Sequence, residues 1–138
     1  FLSLALLGLA ACQATADPVH PASLTGSWQL TNLQGQAVAV NVQNPNQLSF
    51  GAIPEQFNAY AGCNQLRGRY QLQGDAIAFT DLAATRMACP PAAMRLEQNF
   101  SQALAQARAY KIENESLILL DEQQKAVATF KNMPLYRP

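Results

Sequence analysis

Residues 90–107 read PPAAMRLEQNFSQALAQA. Two prolines open the stretch, and the first turn of a helix has no use for the N–H groups they lack. Ala93, Leu96, Phe100, Ala103, Leu104 and Ala107 then recur at helical spacing. Arg95, Glu97, Gln98, Gln102 and Gln106 take the other positions. The pattern predicts one amphipathic helix with a polar outer side.

On both sides of that helix the period changes from helical to alternating. Thr25–Leu33 places Trp28 and Leu30 on one face and Gln29 and Thr31 on the other. Residues 34–47 are rich in Gln and Asn, with a short apolar piece over Ala37–Val42. Leu48–Phe50 and Phe57–Ala61 read as strands around a turn at Gly51–Pro54, and Arg69–Gln73 and Ala76–Thr80 flank Gly74-Asp75. Gly as the first central residue predicts a type II′ hairpin there. After the helix, Tyr110–Asn114, Ser116–Asp121 and Ala126–Lys131 read as strands joined by short polar loops. Both faces of Leu117–Leu120 are apolar, which predicts a central strand covered on both sides or packed on a partner. Met87, Met94 and the aromatic residues read as core. Strands, one helix, then strands give an α+β domain. The expected form is an antiparallel twisted sheet, partly barrel-like, wrapped around one α-helix.

The chain has 138 residues, 9 Lys+Arg against 9 Asp+Glu, and 49% hydrophobic content. That suits one domain with a core of its own. Zero net charge argues against a nucleic-acid binder, which neutralises phosphates with a basic excess. It argues equally against a polybasic membrane-surface protein.

Residues 1–11, FLSLALLGLAA, are apolar and uncharged. They are too few to span a bilayer, which takes about 20 helical residues, and they read as the h-region of a truncated secretory signal. Leu9-Ala10-Ala11-Cys12 resembles the bacterial lipobox. That resemblance implies a diacylated Cys12 at the mature N-terminus, with residues 12–23 as a flexible tether and residues 24–138 as the domain. Gln13 after the cysteine implies sorting to the outer membrane, facing the periplasm. Ala14-Thr15-Ala16 offers a rival cleavage that would leave a soluble protein starting at Asp17. His20, the chain's single histidine, falls in the tether and reads as solvated.

Cys63 and Cys89 remain. An even count in an exported protein suggests a disulfide, with two buried free thiols and a redox pair as the alternatives. A metal site lacks a third Cys or a His in the folded part; neither a metal nor another cofactor is expected.

Several motifs together resemble the META domain, also called the HslJ-like family, of bacterial envelope proteins. The resemblance runs from about Leu24 to Phe130. It opens on Leu24-Thr25-Gly26-Ser27-Trp28, centres on Gly62-Cys63-Asn64 and Gly68-Arg69-Tyr70, and continues through Thr85-Arg86-Met87-Ala88-Cys89. Glu97, Phe100 and Leu104 carry it along the helix, and Tyr110, Ile112, Leu117, Leu119 and Asp121 close it. Ala59 stands where the family often has Gly. The resemblance implies links to heat and envelope stress and to novobiocin tolerance, and no enzymatic activity.

Gly62 suits a positive φ, Asn64 can bond its own backbone in a tight turn, and Thr85 can bond the same region. The cluster reads as scaffold, with recognition on it as the sharper alternative. Arg67, Arg69 and Arg86 are candidates to gather near the two cysteines and contact phosphates of anionic lipid. The expected function is a non-catalytic envelope lipoprotein, a binding or assembly module held to the membrane by its lipid anchor. Its partner is expected to be an envelope protein or an anionic lipid. The alternative is a periplasmic inhibitor of an envelope-attacking enzyme such as lysozyme, presenting residues 41–47 or 121–125. Paired carboxylates, Glu113 with Glu115 and Asp121 with Glu122, fall in hairpin loops and read as solvated charges.

Overall fold

A computed structural model describes residues 8, 23–51 and 53–134. Cys12 and His20 lie outside the described residues, as do almost all of the signal and of the tether. The elements in chain order are β1 (Gly26–Leu33), β2 (Gln36–Ala37), β3 (Gln47–Phe50), β4 (Gln56–Tyr60), β5 (Gln65–Gln73) and β6 (Ala76–Ala84). Then follow α1 (Pro91–Gln106), β7 (Ala109–Glu113), β8 (Ser116–Leu120) and β9 (Ala126–Met133).

The expected α+β architecture is present. All strand pairings are antiparallel and follow the order β1-β3-β4-β5-β6-β7-β8-β9, and β9 returns to pair with β1. β2 is a short arm on β1. Turn chemistry sets the hairpins. Gly74 has φ 61 and no positive φ occurs at Asp75, as a type II′ turn requires. Gln34-Gly35 and Asn114-Glu115 carry positive φ at both central positions, the type I′ pattern.

The result is a ring rather than a regular barrel, because one seam is weak. β6 and β7 share a single register pair, Ala76↔Ala109. Two backbone bonds flank it, from Ile77 N–H to the Arg108 carbonyl and from Tyr110 N–H to the Asp75 carbonyl. α1 connects these two strands. It starts beyond the far end of β6 and delivers the chain beside Ala76. Its 16 residues span about 24 Å at 1.5 Å each. The nine residues of β6 cover about 26 Å between their end Cα atoms at 3.3 Å each. The helix therefore retraces the length of the strand, and it packs against β6, β9 and β1.

Phe100, Ala103 and Leu104 of α1 are fully buried, with Trp28, Phe50, Phe57, Leu117, Leu119 and Phe130 from the inner face of the ring. Phe100 and Phe130 rings lie 6.0 Å apart. The Trp28 indole N–H donates to the Leu24 carbonyl at 2.9 Å, so its polar edge is satisfied in the core. Pro90 takes the N-cap position and Pro91 the first helical one. At the other end, Arg108 Nη1 donates to the carbonyls of Ala105 and Ala107, which the helix leaves unpaired.

Four expectations are corrected. Met87 and Met94 are not core: they are 61% and 40% exposed. Both flank the start of α1, outside the ring. Glu97 is not on a solvated face but buried. It lies on the same helical stripe as Ala93, Phe100 and Leu104, and faces the chain's interior polar turn. Leu117 and Leu119 are buried, but Ile118 and Leu120 are only half covered. β8 is thus central by hydrogen bonding and open on its outer face. Finally, β5 and β6 run longer than alternation predicts. A register shift opposite Gly68 lets Leu66 pair with Ala84 beyond it, and Asp81 takes φ 54 within the bulge. The extra residue breaks the period of two.

Candidate functional site

The chain concentrates its buried polar bonds at the turn between β4 and β5. Gly62 has φ 90, a conformation other residues rarely hold. A Cβ added there would meet Ala93 Cβ at 3.7 Å, so the turn rests on the first turn of α1. Cys63 follows and is bonded to Cys89, with Cα atoms 5.9 Å apart and a sequence separation of 26. The link ties the turn to the segment that leads into the helix.

Asn64 does not bond its own backbone. Its N–H and its side-chain Nδ2 both donate to the Glu97 carboxylate, at 2.7 and 2.9 Å. Its Oδ1 accepts from the Met87 N–H at 2.7 Å and from the Thr85 hydroxyl at 3.0 Å. The Thr85 hydroxyl oxygen in turn accepts from the Gln65 N–H at 3.1 Å. One side chain thus joins the turn, the 85–89 segment and the helix. Glu97 and Asn64 are both buried, 9% and 4% exposed, and no buried side-chain polar atom among the described residues lacks a partner. In a low-dielectric interior such a completed network holds its members to one arrangement.

Gly62, Cys63, Asn64, Thr85 and Cys89 are therefore brought together. The arginines are not gathered with them as one group. Arg67 faces outward on β5, opposite Asn58 of β4. With Asn58, Gln65 and Thr85 it lines a depression of about 350 Å³ that Leu66 and Ala83–Ala84 also line. Arg69 is drawn to Glu55, at 3.1 Å, an exposed pair. Arg86 is exposed on the segment between β6 and α1. Lys111 pairs with Glu113 in the next hairpin at 3.3 Å, also exposed.

Sequence reasoning missed the role of Glu97. The signal was its position: 93, 97, 100 and 104 form one stripe along a helix, and a carboxylate on an apolar stripe needs a buried partner. The partner lies 33 residues away, beyond the reach of local pattern.

The loops named for insertion into an enzyme differ from each other. Asp121 Oδ1 accepts from the N–H groups of Gln123 and Lys125, which folds 121–125 onto itself. In the other, Asn41 Oδ1 accepts from the N–H groups of Gln43 and Asn44 while Val42 stands 87% exposed. Among the described residues no helix is long and apolar enough to cross a membrane.

Comparison with known proteins agrees with the geometry. The profile of the META domain matches residues 22–134. No curated protein matches the chain. Among solved structures, a protein from Burkholderia xenovorans determined by NMR is similar at 24% identity, covering 94% of this chain and 99% of its own, with a TM-score of 0.66. A second NMR structure is 23% identical with a TM-score of 0.64, covering 83% of this chain and 94% of its own. A crystal structure of a DUF4847 family protein from Bacteroides vulgatus is similar at 17% identity and a TM-score of 0.57, covering 78% of this chain and 92% of its own. At these identities the likeness speaks for the fold.

Proposed function

The chain belongs to the META domain family, and from that premise we propose that it is a non-catalytic binding or assembly module of the cell envelope, anchored through an acylated Cys12. The observation that carries this reading is the use made of Glu97. It is the one charged side chain among the buried described residues, and both its oxygens are occupied by Asn64. A carboxylate so engaged serves architecture rather than proton transfer. The frame it stiffens bears an open depression of Asn58, Gln65, Arg67 and Thr85. Polar groups held at the surface of a rigid scaffold are suited to recognition.

Two further observations support the compartment. The apolar run over residues 1–11 ends in Leu-Ala-Ala-Cys, and a disulfide persists where the surroundings are oxidising. In this reading the lipid holds the module on the outer membrane and the partner is an envelope protein or an anionic lipid. A role in envelope stress, novobiocin tolerance or secretion fits a small tethered module of this kind.

The test is the intact mass of the mature protein from the producing cell, before and after reduction and alkylation. An acylated chain beginning at Cys12 is expected. An unmodified chain beginning at Asp17 would overturn the anchor.

One observation favours a second reading, inhibition of an envelope-attacking enzyme such as lysozyme. Val42 is 87% exposed and Val40 is 56% exposed, on a loop that its own Asn41 braces. A lysozyme assay with the protein in excess decides it: unchanged hydrolysis removes this reading.

A further inference from the structure

Four sulfur-bearing residues converge at the start of α1. Cys63 Sγ, bonded to Cys89, lies 3.6 Å from Met94 Sδ. The Met87 carbonyl oxygen is 3.6 Å from the same Cys63 sulfur. Met94 is 40% exposed and Met87 61%. Methionine ordinarily earns its place by filling gaps in a core, and these two do not. They are spaced Met87-x-Cys89-x4-Met94 around one cysteine, while the Gly62-Cys63-Asn64 turn supplies the other.

Thiolate and thioether sulfurs are soft donors that select monovalent copper. We propose that, with the Cys63–Cys89 bond reduced, Cys63, Cys89 and Met94 form a three-sulfur site for copper(I), with Met87 at its rim. A trigonal centre with metal–sulfur bonds of about 2.3 Å holds its sulfurs about 4 Å apart. The Cys63–Met94 pair is already close to that separation. The frame around the sulfurs is held by bonds additional to the S–S bond. Asn64 still holds Met87 N–H and Thr85 on one side and Glu97 on the other. Those bonds keep the 63–64 turn, the 85–89 segment and the first half of α1 in register. Supporting bonds of this kind fix first-shell ligands in metal sites.

The opening step is exchange with a dithiol reductant. Its thiolate attacks Cys89 Sγ, on the less buried residue of the two, and Cys63 Sγ leaves as a thiolate. The second thiol of the reductant resolves the mixed disulfide, closing a cyclic disulfide and freeing Cys89. Two electrons and two protons pass from the reductant to the two cysteines. Copper(I) then displaces those two protons and takes the Met94 thioether as its third ligand.

The experiment uses the full chain carrying Cys12→Ser, which silences the third thiol. The chain is reduced with a dithiol, freed of reductant without air, and titrated with copper(I) against the chromophoric chelator bicinchoninate. One copper per reduced chain is expected, with none held by the oxidised chain. Met94→Leu is expected to loosen the metal roughly tenfold or more, the scale at which even supporting residues count. Met133→Leu, a thioether on β9, is expected to leave it unchanged. The proposal is overturned if the reduced chain takes no copper, if the oxidised chain takes it equally, or if Met94→Leu binds like its parent. A reduced chain that unfolds before copper is added also overturns it, because the site requires the folded frame.

Discussion

Asn64 presents two donors, its backbone N–H and its Nδ2, to the two carboxylate oxygens of Glu97, at 2.7 and 2.9 Å. The pair lies inside the protein, between the β4–β5 turn and the helix. It is a hydrogen-bonded carboxylate without a cation, so its value rests on the bonds being complete.

Removing either side chain leaves buried polar groups of the other without partners. Asn64→Ala removes the Nδ2 donor to the Glu97 carboxylate and leaves only the backbone N–H, and it also frees the Met87 N–H and the Thr85 hydroxyl. We expect a loss of about 3 kcal/mol, since hydrogen bonds to charged groups contribute about 1.5–3 kcal/mol and the unsatisfied buried donors add to the cost. Glu97→Gln keeps the shape but sets an amide NH2 against one of the Asn64 donors. We expect about 1–3 kcal/mol. Urea unfolding of both variants measures the losses, and Glu97→Gln should be the milder.

Reduction of the Cys63–Cys89 link lowers stability by about 3.5 kcal/mol on the loop-entropy relation for a loop of this size. The fold should survive in the absence of denaturant, because the Asn64 network bridges the same three segments. Unfolding midpoints with and without reductant, followed by circular dichroism, test both statements.

Gly68 is required for space rather than for dihedral freedom. A Cβ there would sit 2.7 Å from the Thr80 carbonyl oxygen and 2.8 Å from Phe57 Cε1. The carbonyl belongs to the paired strand and cannot swing aside. Gly68→Ala is expected to cost about 1–3 kcal/mol, the range for overpacking. Gly51→Ala, with open space around the new methyl, should be nearly neutral. Thermal melts of the two variants give the comparison.

Phe100 is fully buried against Phe130 where α1 enters the ring. Phe100→Ala should cost about 3–5 kcal/mol. Because α1 packs along β6, whose seam to β7 has a single register pair, loss should appear first at that seam. Hydrogen exchange at Ile77 and Tyr110, whose N–H groups close that seam, should accelerate before exchange at Leu48 or Phe57.

Much of this architecture was legible from residue order. The helix announced itself by its prolines and its apolar stripe, and the hairpins by Gly74-Asp75 and by strict alternation on either side. What stayed hidden depends on contacts distant in sequence. The carboxylate of Glu97 looks like any solvated charge until Asn64 is placed beside it. Met87 and Met94 look like core until the start of α1 is seen to leave them exposed. The far end of β6 escaped because the bulge at Asp81 adds a residue opposite Gly68 and shifts the alternation of that strand, while β5 keeps its period through Leu66, Gly68 and Tyr70. At the candidate site, Gly62, Cys63, Thr85 and Cys89 were readable as one cluster. Arg69 was not separable from it until Glu55 was seen to hold it.

The pairing of β1 with β9 joins residues 27–33 to residues 128–133, so about a hundred residues of chain must be present before the first strand meets its last neighbour. A chain emerging from its amino end can form each local hairpin as it appears, yet β1 keeps one bare edge until the end. Distant pairing of this kind slows folding into the millisecond-to-second range typical of all-β topologies. During that interval the waiting edge is open to strands of other molecules. Chains kept dilute, or kept unfolded by a chaperone until the last strand is free, escape that hazard, and yield on refolding should fall steeply as concentration rises.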